Sequence, residues 1–302
     1  MNDLLCCESS SVVENRAYVD PILLNDKRVL RNLLKTEERY TLQTVNFLNA
    51  QKEVTPAMRK IVTEWMMEVC EDQKCQHEVF TLAVNLMDRF LATCNIRKNQ
   101  LQLLGTCSML IASKLREPKP LLADTLVFYT DNSITRQELW DWEKLTLSKL
   151  KWDVAAVTPL DFLSHLLRRI PIESSQYQRV NSHAQTLISL WAREYEFSSH
   201  PASMIACACL ASALIGLGWT RSGRTVDGLL TLLHDITSIE QDYLRTCLRK
   251  VESMVYANNT EPMVEEEVHH RPDEFTPPPT TSDKFVEHET AGTPTDVRDV
   301  HF

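Results

Sequence analysis

His269 and His270 stand side by side and have the residue type for a metal pair. They sit in an acidic, proline-rich stretch, however, where two solvated imidazoles are the expected outcome. Patterns that support catalysis are missing from the 302-residue sequence. It has no glycine-rich phosphate loop, no Gly-x-Ser-x-Gly and no His-Glu-x-x-His. The nine cysteines (Cys6, Cys7, Cys70, Cys75, Cys94, Cys107, Cys207, Cys209, Cys247) include no Cys-x-x-Cys pair. Several fall inside apolar helical runs, where a free cysteine behaves as a small hydrophobe. The odd count fits reduced thiols in the cytosol or nucleus. The start, Met-Asn-Asp-Leu-Leu-Cys-Cys-Glu, has neither a basic region nor a long apolar run. No metal, cofactor or catalysis is expected.

Recognition chemistry is better represented. From Pro56 to Glu71 the apolar residues recur at helical spacing, and at 100° per residue Met58, Val62, Trp65 and Val69 fall within about 40° of one another. With Ile61, Met66 and Cys70 the apolar arc widens to roughly 180°, against the ~100° that a core-facing surface helix needs. Either this helix is buried on two sides, or its edge near Met58, Ile61 and Trp65 is a shallow groove for a peptide. The run Leu101–Leu115 is apolar almost all round, with Gly105, Cys107, Ala112 and Ser113 permitting close approach, as in a central hub helix. Lys114 closes this helix, where a cation satisfies the C-terminal dipole. Glu143, amid Leu139, Trp140, Trp142, Leu145 and Leu147, reads from pattern alone as a solvated charge.

The elements that must position these residues are helices. Six glycines against 13 prolines, with no Asn-Gly or Gly-Gly pair, argue against a sheet. Helical patterning begins near Asp26 (Val29, Leu30, Leu33, Leu34) and resumes around Tyr40–Leu48. Amphipathic segments follow at about 56–71, 77–93, 98–116, 122–130 and 135–150. After Trp152 the plan restarts, with helices expected near 158–169, 175–196, 202–216, 226–234 and 238–256. Thr55-Pro56 opens the first set and Thr158-Pro159 the second, each pairing an N-cap residue with a proline suited to the first helical position. Leu110-Ile-Ala-Ser-Lys114 is echoed by Cys209-Leu-Ala-Ser-Ala213, which suggests two copies of one unit. The uncharged stretch Pro201–Thr220 invites a membrane reading. Its opening proline, Gly216, Gly218 and a middle rich in Ala, Ser and Cys make it a buried core helix instead.

The formal net charge is −9, and residues from Ala257 onward hold 11 acidic and 3 basic side chains. The body is therefore nearly neutral and has no basic field to attract nucleic acid. Six of the 13 prolines lie in residues 257–302, with Glu265-Glu266-Glu267 and Pro277-Pro278-Pro279. Too polar to offset chain entropy by burial, that tail is expected to be disordered.

Several motifs are specific. Thr-Pro-x-Met-Arg-Lys-Ile-Val-x-x-Trp-Met (55–66), Asn85-Leu-Met-Asp-Arg-Phe-Leu91, Leu101-Gln-Leu-Leu-Gly105, Ala112-Ser-Lys114 and Thr158-Pro-Leu-Asp-Phe-Leu163 closely resemble a cyclin box. Leu4-x-Cys6-x-Glu8 and Thr293-Pro-Thr-Asp-Val-Arg-Asp-Val300 resemble the two ends of D-type G1 cyclins. The resemblance implies an all-α fold of two tandem five-helix cyclin-box units followed by a disordered acidic tail. The divisions are a flexible N-terminus (1–25), a first box with a leading helix (26–154), a second box (155–256) and a regulatory tail (257–302).

On that resemblance, Lys114 and Glu143 match the pair that anchors a partner kinase. Met58, Ile61, Trp65, Glu68, Leu101 and Gln102 match a groove that docks Arg-x-Leu peptides, with Glu68 able to pair with the basic residue. Val62 stands where some cyclins carry Leu, a departure that bears on groove depth. Leu4, Cys6 and Glu8 match a motif for retinoblastoma-family proteins; spacing by two puts all three on one side of an extended strand. Thr293 before Pro294 is similar to the family's phosphorylation-dependent degradation switch, and Thr276-Pro277 is a second candidate without family support. Thr55 and Thr158 also precede proline but read as buried caps. The implied protein is a non-catalytic regulatory subunit that binds and activates a G1 cyclin-dependent serine/threonine kinase at the G1/S transition. Kinase inhibitor proteins and a ubiquitin ligase are the further partners implied, with shuttling between nucleus and cytoplasm. The alternative from another class is a transcription-factor-IIB-like DNA-binding scaffold of the same fold.

Overall fold

A computed structural model describes residues 20–42 and 44–260. Among them are thirteen α-helices, three short 3-10 turns and no strand. Three helices lead: α1 (Pro21–Asn25), α2 (Lys27–Glu37) and α3 (Thr44–Ala50). The first unit is α4 (Pro56–Asp72), α5 (His77–Leu91), α6 (Leu101–Arg116), α7 (Ala123–Phe128) and α8 (Arg136–Lys149). The second is α9 (Pro159–Arg169), α10 (Ser174–Ala192), α11 (Ala202–Gly216), α12 (Val226–Thr237) and α13 (Gln241–Thr260).

The two units start with the same Thr-Pro pair but close their first turns by different bonds. Thr55 Oγ1 accepts from Met58 N at 3.3 Å, and Thr158 N donates to the Asp161 carboxylate at 2.7 Å. In each case a proline follows at the first helical position, where its missing N–H is no loss. Each unit then wraps a hub. In α6 every residue from Leu101 to Ser113 except Gln102 is buried, and α4, α5, α7 and α8 pack around it. In α11 the buried run includes Ile205–Ala211, surrounded by α9, α10, α12 and α13. Small residues let the hubs be approached closely: a Cβ on Gly105 would meet Val62 Cγ1 at 3.0 Å and Met66 Sδ at 3.1 Å. No helix among the described residues is long and apolar enough to cross a membrane.

Differences from the sequence reading lie at helix ends. The expected 98–116 helix is a 3-10 turn (98–100) leading into α6, and the expected 175–196 helix stops at Ala192. The 122–130 segment keeps only six helical residues, because Asp131 (φ 53) and Asn132 (φ 56) turn left-handed just beyond it. The leading helices also hold a surprise. Residues 21–25, expected to belong to a flexible N-terminus, form helix α1; it packs on α9, as does α2, which the sequence groups with the first unit and which also reaches α11. Glu37 at the end of α2 caps α11 from outside, accepting from Ser203 N and Ser203 Oγ, both at 2.7 Å. A carboxylate there answers the unpaired N–H groups and positive end of a helix. Tyr40 and Arg39 then meet Asp153 on the link between units, at 2.8 Å each.

One buried and one half-buried imidazole make the fold acid-sensitive. His165 Nδ1 donates to Leu24 O at 3.2 Å, tying α9 to α1, and His200 lies against the Trp191 ring with Nδ1 2.9 Å from Glu196 O. Burial holds both below the ordinary value of 6.5. Their neutral forms are therefore favoured by the fold, and the unfolded chain takes up protons first as pH falls. This contribution is fully present above about pH 6.5 and is lost as pH falls through the two folded values. Glu37 acts in the opposite sense, since burial raises its carboxyl and protonation favours the folded state. Urea midpoints at pH 8 and 5.5 should therefore differ less for His165→Asn than for the parent chain. An unchanged difference would show that His165 does not contribute.

Candidate functional site

Lys114 lies in the last turn of α6 and Glu143 midway along α8. Packing of α8 on the hub brings them together: Lys114 Nζ donates to Glu143 Oε1 at 2.5 Å. Neither single-residue expectation describes this arrangement. The lysine answers a specific carboxylate as well as a helix end, and the glutamate side chain is only 16% exposed rather than solvated. The lysine side chain remains 47% exposed. An ammonium has three N–H donors, and among the described residues Glu143 is its hydrogen-bond partner. Such a group is held in place yet remains available to acceptors on another surface. Leu115 beside the lysine and Trp140 one turn before the glutamate are both solvent-exposed. Exposed apolar side chains next to an oriented charge are the composition of a protein-binding surface.

The wide apolar arc of α4 divides into a buried side and a more exposed edge. Met66, Val69 and Cys70 are buried, while Met58, Val62 and Trp65 are half-buried against the core. Ile61 is 65% exposed and Glu68 is also exposed. The edge Met58–Ile61–Trp65 is therefore accessible, with an acidic residue one turn beyond it. Of the two α6 residues assigned to this face, Gln102 is half-buried and Leu101 is buried, so Leu101 can serve only beneath the surface.

Sequence reasoning missed Arg59. It stands inside the Met-Arg-Lys-Ile motif, where pattern alone assigns it no role, yet among the described residues it is the largest fully buried side chain. Its guanidinium forms a fork onto Asp88 of α5, Nε to Oδ1 at 2.8 Å and Nη2 to Oδ2 at 2.7 Å. The remaining donors cross into the second unit, to Arg193 O at 2.8 Å and Ala192 O at 3.1 Å, the carbonyls that end α10. Ser198 Oγ donates to Asp88 from the second unit as well. A cation at a helix C-terminus and a paired carboxylate thus lock the units together. A signal was present: on the helical wheel Arg59 lines up with Thr63, Met66 and Cys70, the buried side of α4.

Leu4, Cys6, Glu8 and Thr293, like Thr276, His269 and His270, lie outside the described residues. Among the described residues no group of three or more His, Cys, Asp or Glu side chains could hold a metal ion.

Comparison with known proteins gives the arrangement its family. The model for "Cyclin, N-terminal domain" matches residues 28–155, and that for "Cyclin, C-terminal domain" matches residues 157–273. G1/S-specific cyclin-D2 of Gallus gallus is 45% identical over 301 residues, covering 99% of both chains. This chain is a D-type cyclin. G1/S-specific cyclin-D3 of Homo sapiens is 47% identical over 252 residues, covering 83% of this cyclin and 85% of the relative. Among solved structures, a viral cyclin from herpesvirus saimiri superposes with a TM-score of 0.68 at 28% identity. It covers 76% of this cyclin and 97% of its own chain. The cyclin is accordingly a regulatory subunit of a kinase, not an enzyme itself.

Proposed function

We propose that this cyclin binds and activates a G1 cyclin-dependent serine/threonine kinase through the surface centred on Lys114 and Glu143, and directs it to retinoblastoma-family proteins. The observation that carries the reading is the oriented Lys114–Glu143 pair beside exposed Leu115 and Trp140 in a chain that is D-type throughout. The lysine donates to carbonyls of a kinase loop, and the glutamate steadies it and accepts from backbone N–H groups. Docking there biases the kinase's αC helix toward the Lys–Glu arrangement that active kinases need. Leu4, Cys6 and Glu8 supply the retinoblastoma contact, a short extended motif read by a cleft. The test is recovery of the wild-type chain with its kinase and an activity assay on a retinoblastoma fragment. Loss of phosphorylation of that fragment on Leu4→Ala/Cys6→Ala, with activity on a motif-independent peptide retained, is expected. The transcription-factor-IIB-like scaffold is not favoured, since relatives matching the whole chain are cyclins.

The accessible edge of α4 docks Arg-x-Leu substrates and inhibitor proteins: apolar side chains at Met58, Ile61 and Trp65 receive the leucine, and Glu68 pairs with the arginine. Trp65→Ala is expected to weaken a docking peptide by about 2 kcal/mol or more, as a central aromatic anchor does. Because Trp65 is half-buried, its loss should destabilise the fold by less than the roughly 3–5 kcal/mol of a fully buried tryptophan. Peptide titration beside thermal melting checks this. A large melting drop with unaltered peptide affinity would place Trp65 in the core only.

Thr293 is the control point of the C-terminal segment, phosphorylated by a proline-directed kinase and read by a ubiquitin ligase and the nuclear export machinery. Phosphorylation adds about −1.5 to −2 charge and three strong acceptor oxygens. Arg298 is the only basic residue among the last ten, so a separate protein is the expected reader. Thr293→Ala should lengthen half-life after synthesis is blocked and increase nuclear retention, with kinase activation in vitro unchanged. Equal half-lives would move the switch elsewhere, with Thr276 next.

A further inference from the structure

The C-terminus of α4 brings two thiols together by a backbone device. Lys74 turns left-handed (φ 54), Lys74 N donates to Glu71 O at 3.0 Å, and Cys75 N donates to Cys70 O at 2.8 Å. These two bonds close a Schellman motif, in which side chains five residues apart at its two ends meet. The meeting is usually between apolar groups; here the two positions are held by Cys70 and Cys75, which line one cavity together. Both are free thiols.

Their surroundings differ. Cys70 is buried with Sγ 3.9 Å from Met109 Sδ of α6, whereas Cys75 is half-buried. Behind the pair is a cavity of about 110 Å³ lined by Met67, Phe80 and Leu190 among others. Cys75 also lines a basin of about 470 Å³ that carries Lys74 and Lys119 together with the Glu117 carboxylate. Cys75 is thus the more accessible of the two thiols, with Cys70 buried at the other end of the same backbone motif.

We propose that Cys75 and Cys70 form a peroxide-reactive dithiol in which a hydroperoxide oxidises Cys75 and Cys70 resolves the product into a disulfide. In the first step the Cys75 sulfur attacks the peroxide oxygen, the O–O bond breaks, and water or an alcohol leaves with the proton, giving a sulfenic acid. In the second, Cys70 sulfur attacks Cys75 sulfur, the S–O bond breaks, and the hydroxyl departs as water with the Cys70 proton. Two thiols lose two electrons and the peroxide gains them. The neighbouring Cys70 holds the Cys75 thiol below its ordinary value, against opposing pushes from burial and from the Glu117 carboxylate. Cys70 is pushed well above its own, so the roles of attacker and resolver are distinct. Cys107, Cys207, Cys209 and Cys247 are buried with thiols raised by burial, which leaves Cys94 as the half-buried competitor among the described residues.

The full chain, treated with equimolar hydrogen peroxide, alkylated and digested with trypsin, tests this. Trypsin cleaves after Lys74, so the bridge appears as two linked peptides that separate on reduction. The expected result is that linked pair, formed at least tenfold faster than oxidation of Cys94 or of Cys6 and Cys7. Cys70→Ala should leave a Cys75 sulfenic acid captured by dimedone, and Cys75→Ser should abolish both products. Oxidation of Cys94, Cys6 or Cys7 at an equal or faster rate, or Cys75 oxidised in the wild-type chain without the bridge, would overturn the proposal. The wild-type peptide map decides the matter even where a variant folds poorly.

Discussion

Lys114→Glu is expected to abolish kinase binding while the cyclin stays folded. The lysine side chain is 47% exposed, so its pair with Glu143 contributes at most about 1 kcal/mol to folding. Reversal removes that and sets two carboxylates against each other, a repulsion that solvent largely screens because Lys114 can swing outward. In the complex the balance differs. The mutant carries an acceptor to a place where the kinase presents acceptors, and the Glu143 carboxylate loses its counter-charge on desolvation. A truncated or reversed buried charge pair at an interface costs on the order of 2–5 kcal/mol, which is a loss of affinity of about 30-fold or more. Thermal melting together with titration of the purified kinase reads both quantities. A folded mutant with unchanged kinase affinity would falsify the assignment of this surface. Glu143→Gln should fall between, because the amide oxygen still accepts from Lys114 but the charge that holds it is gone.

Hydrophobic periodicity made the helices legible, and the restart at Thr158-Pro159 made the duplication legible, because caps and apolar spacing are local and survive any packing. The burial of α6 and α11 followed equally directly from their lack of polar residues. Helix ends were less legible: α7 is cut short by left-handed Asp131 and Asn132, neither of them glycine. Asp and Asn tolerate that region better than other non-glycine residues, but they are common in loops and mark a helix end only weakly. The packing of α2 on the second unit was hidden for another reason. Glu37 looks in sequence like one more helical carboxylate, and only the fold reveals that it caps α11 from 166 residues away. The same holds for Lys114 and Glu143, 29 residues apart, whose pairing came from family resemblance and not from spacing. Leu115 belongs by pattern to the hub run and Trp140 to the apolar surroundings of Glu143, and only the fold reveals that both are exposed.

Arg59→Ala should be the most damaging single change in the folded body. Its side chain is 1% exposed and that of Asp88 is 7% exposed, so neither charge has water to fall back on. The net worth of the intact pair is modest, because desolvation offsets most of its Coulombic attraction. Removing one member is a different matter. It leaves the Asp88 carboxylate in the interior with Ser198 as its side-chain donor, strips Ala192 O of its side-chain partner, leaves Arg193 O only the long bond from Thr63 Oγ1, and opens a guanidinium-sized void between α4 and α10. Breaking such a pair costs about 3–5 kcal/mol, a large fraction of the roughly 5–15 kcal/mol that holds an ordinary domain together. For a body of this size each kcal/mol lowers the melting temperature by roughly 2–4 °C, so a drop of about 6 °C or more is expected. Since Arg59 bridges the two units, the loss should also divide the unfolding transition, with α10 and its neighbours losing amide protection before α6. Arg59→Lys discriminates charge from geometry: it keeps the cation but cannot reach Asp88 and both carbonyls with one planar fork, and should recover only part of the stability. Calorimetry with hydrogen exchange is the measurement. A single transition with an unshifted midpoint for Arg59→Ala would show that apolar packing, and not this charged bolt, holds the units together.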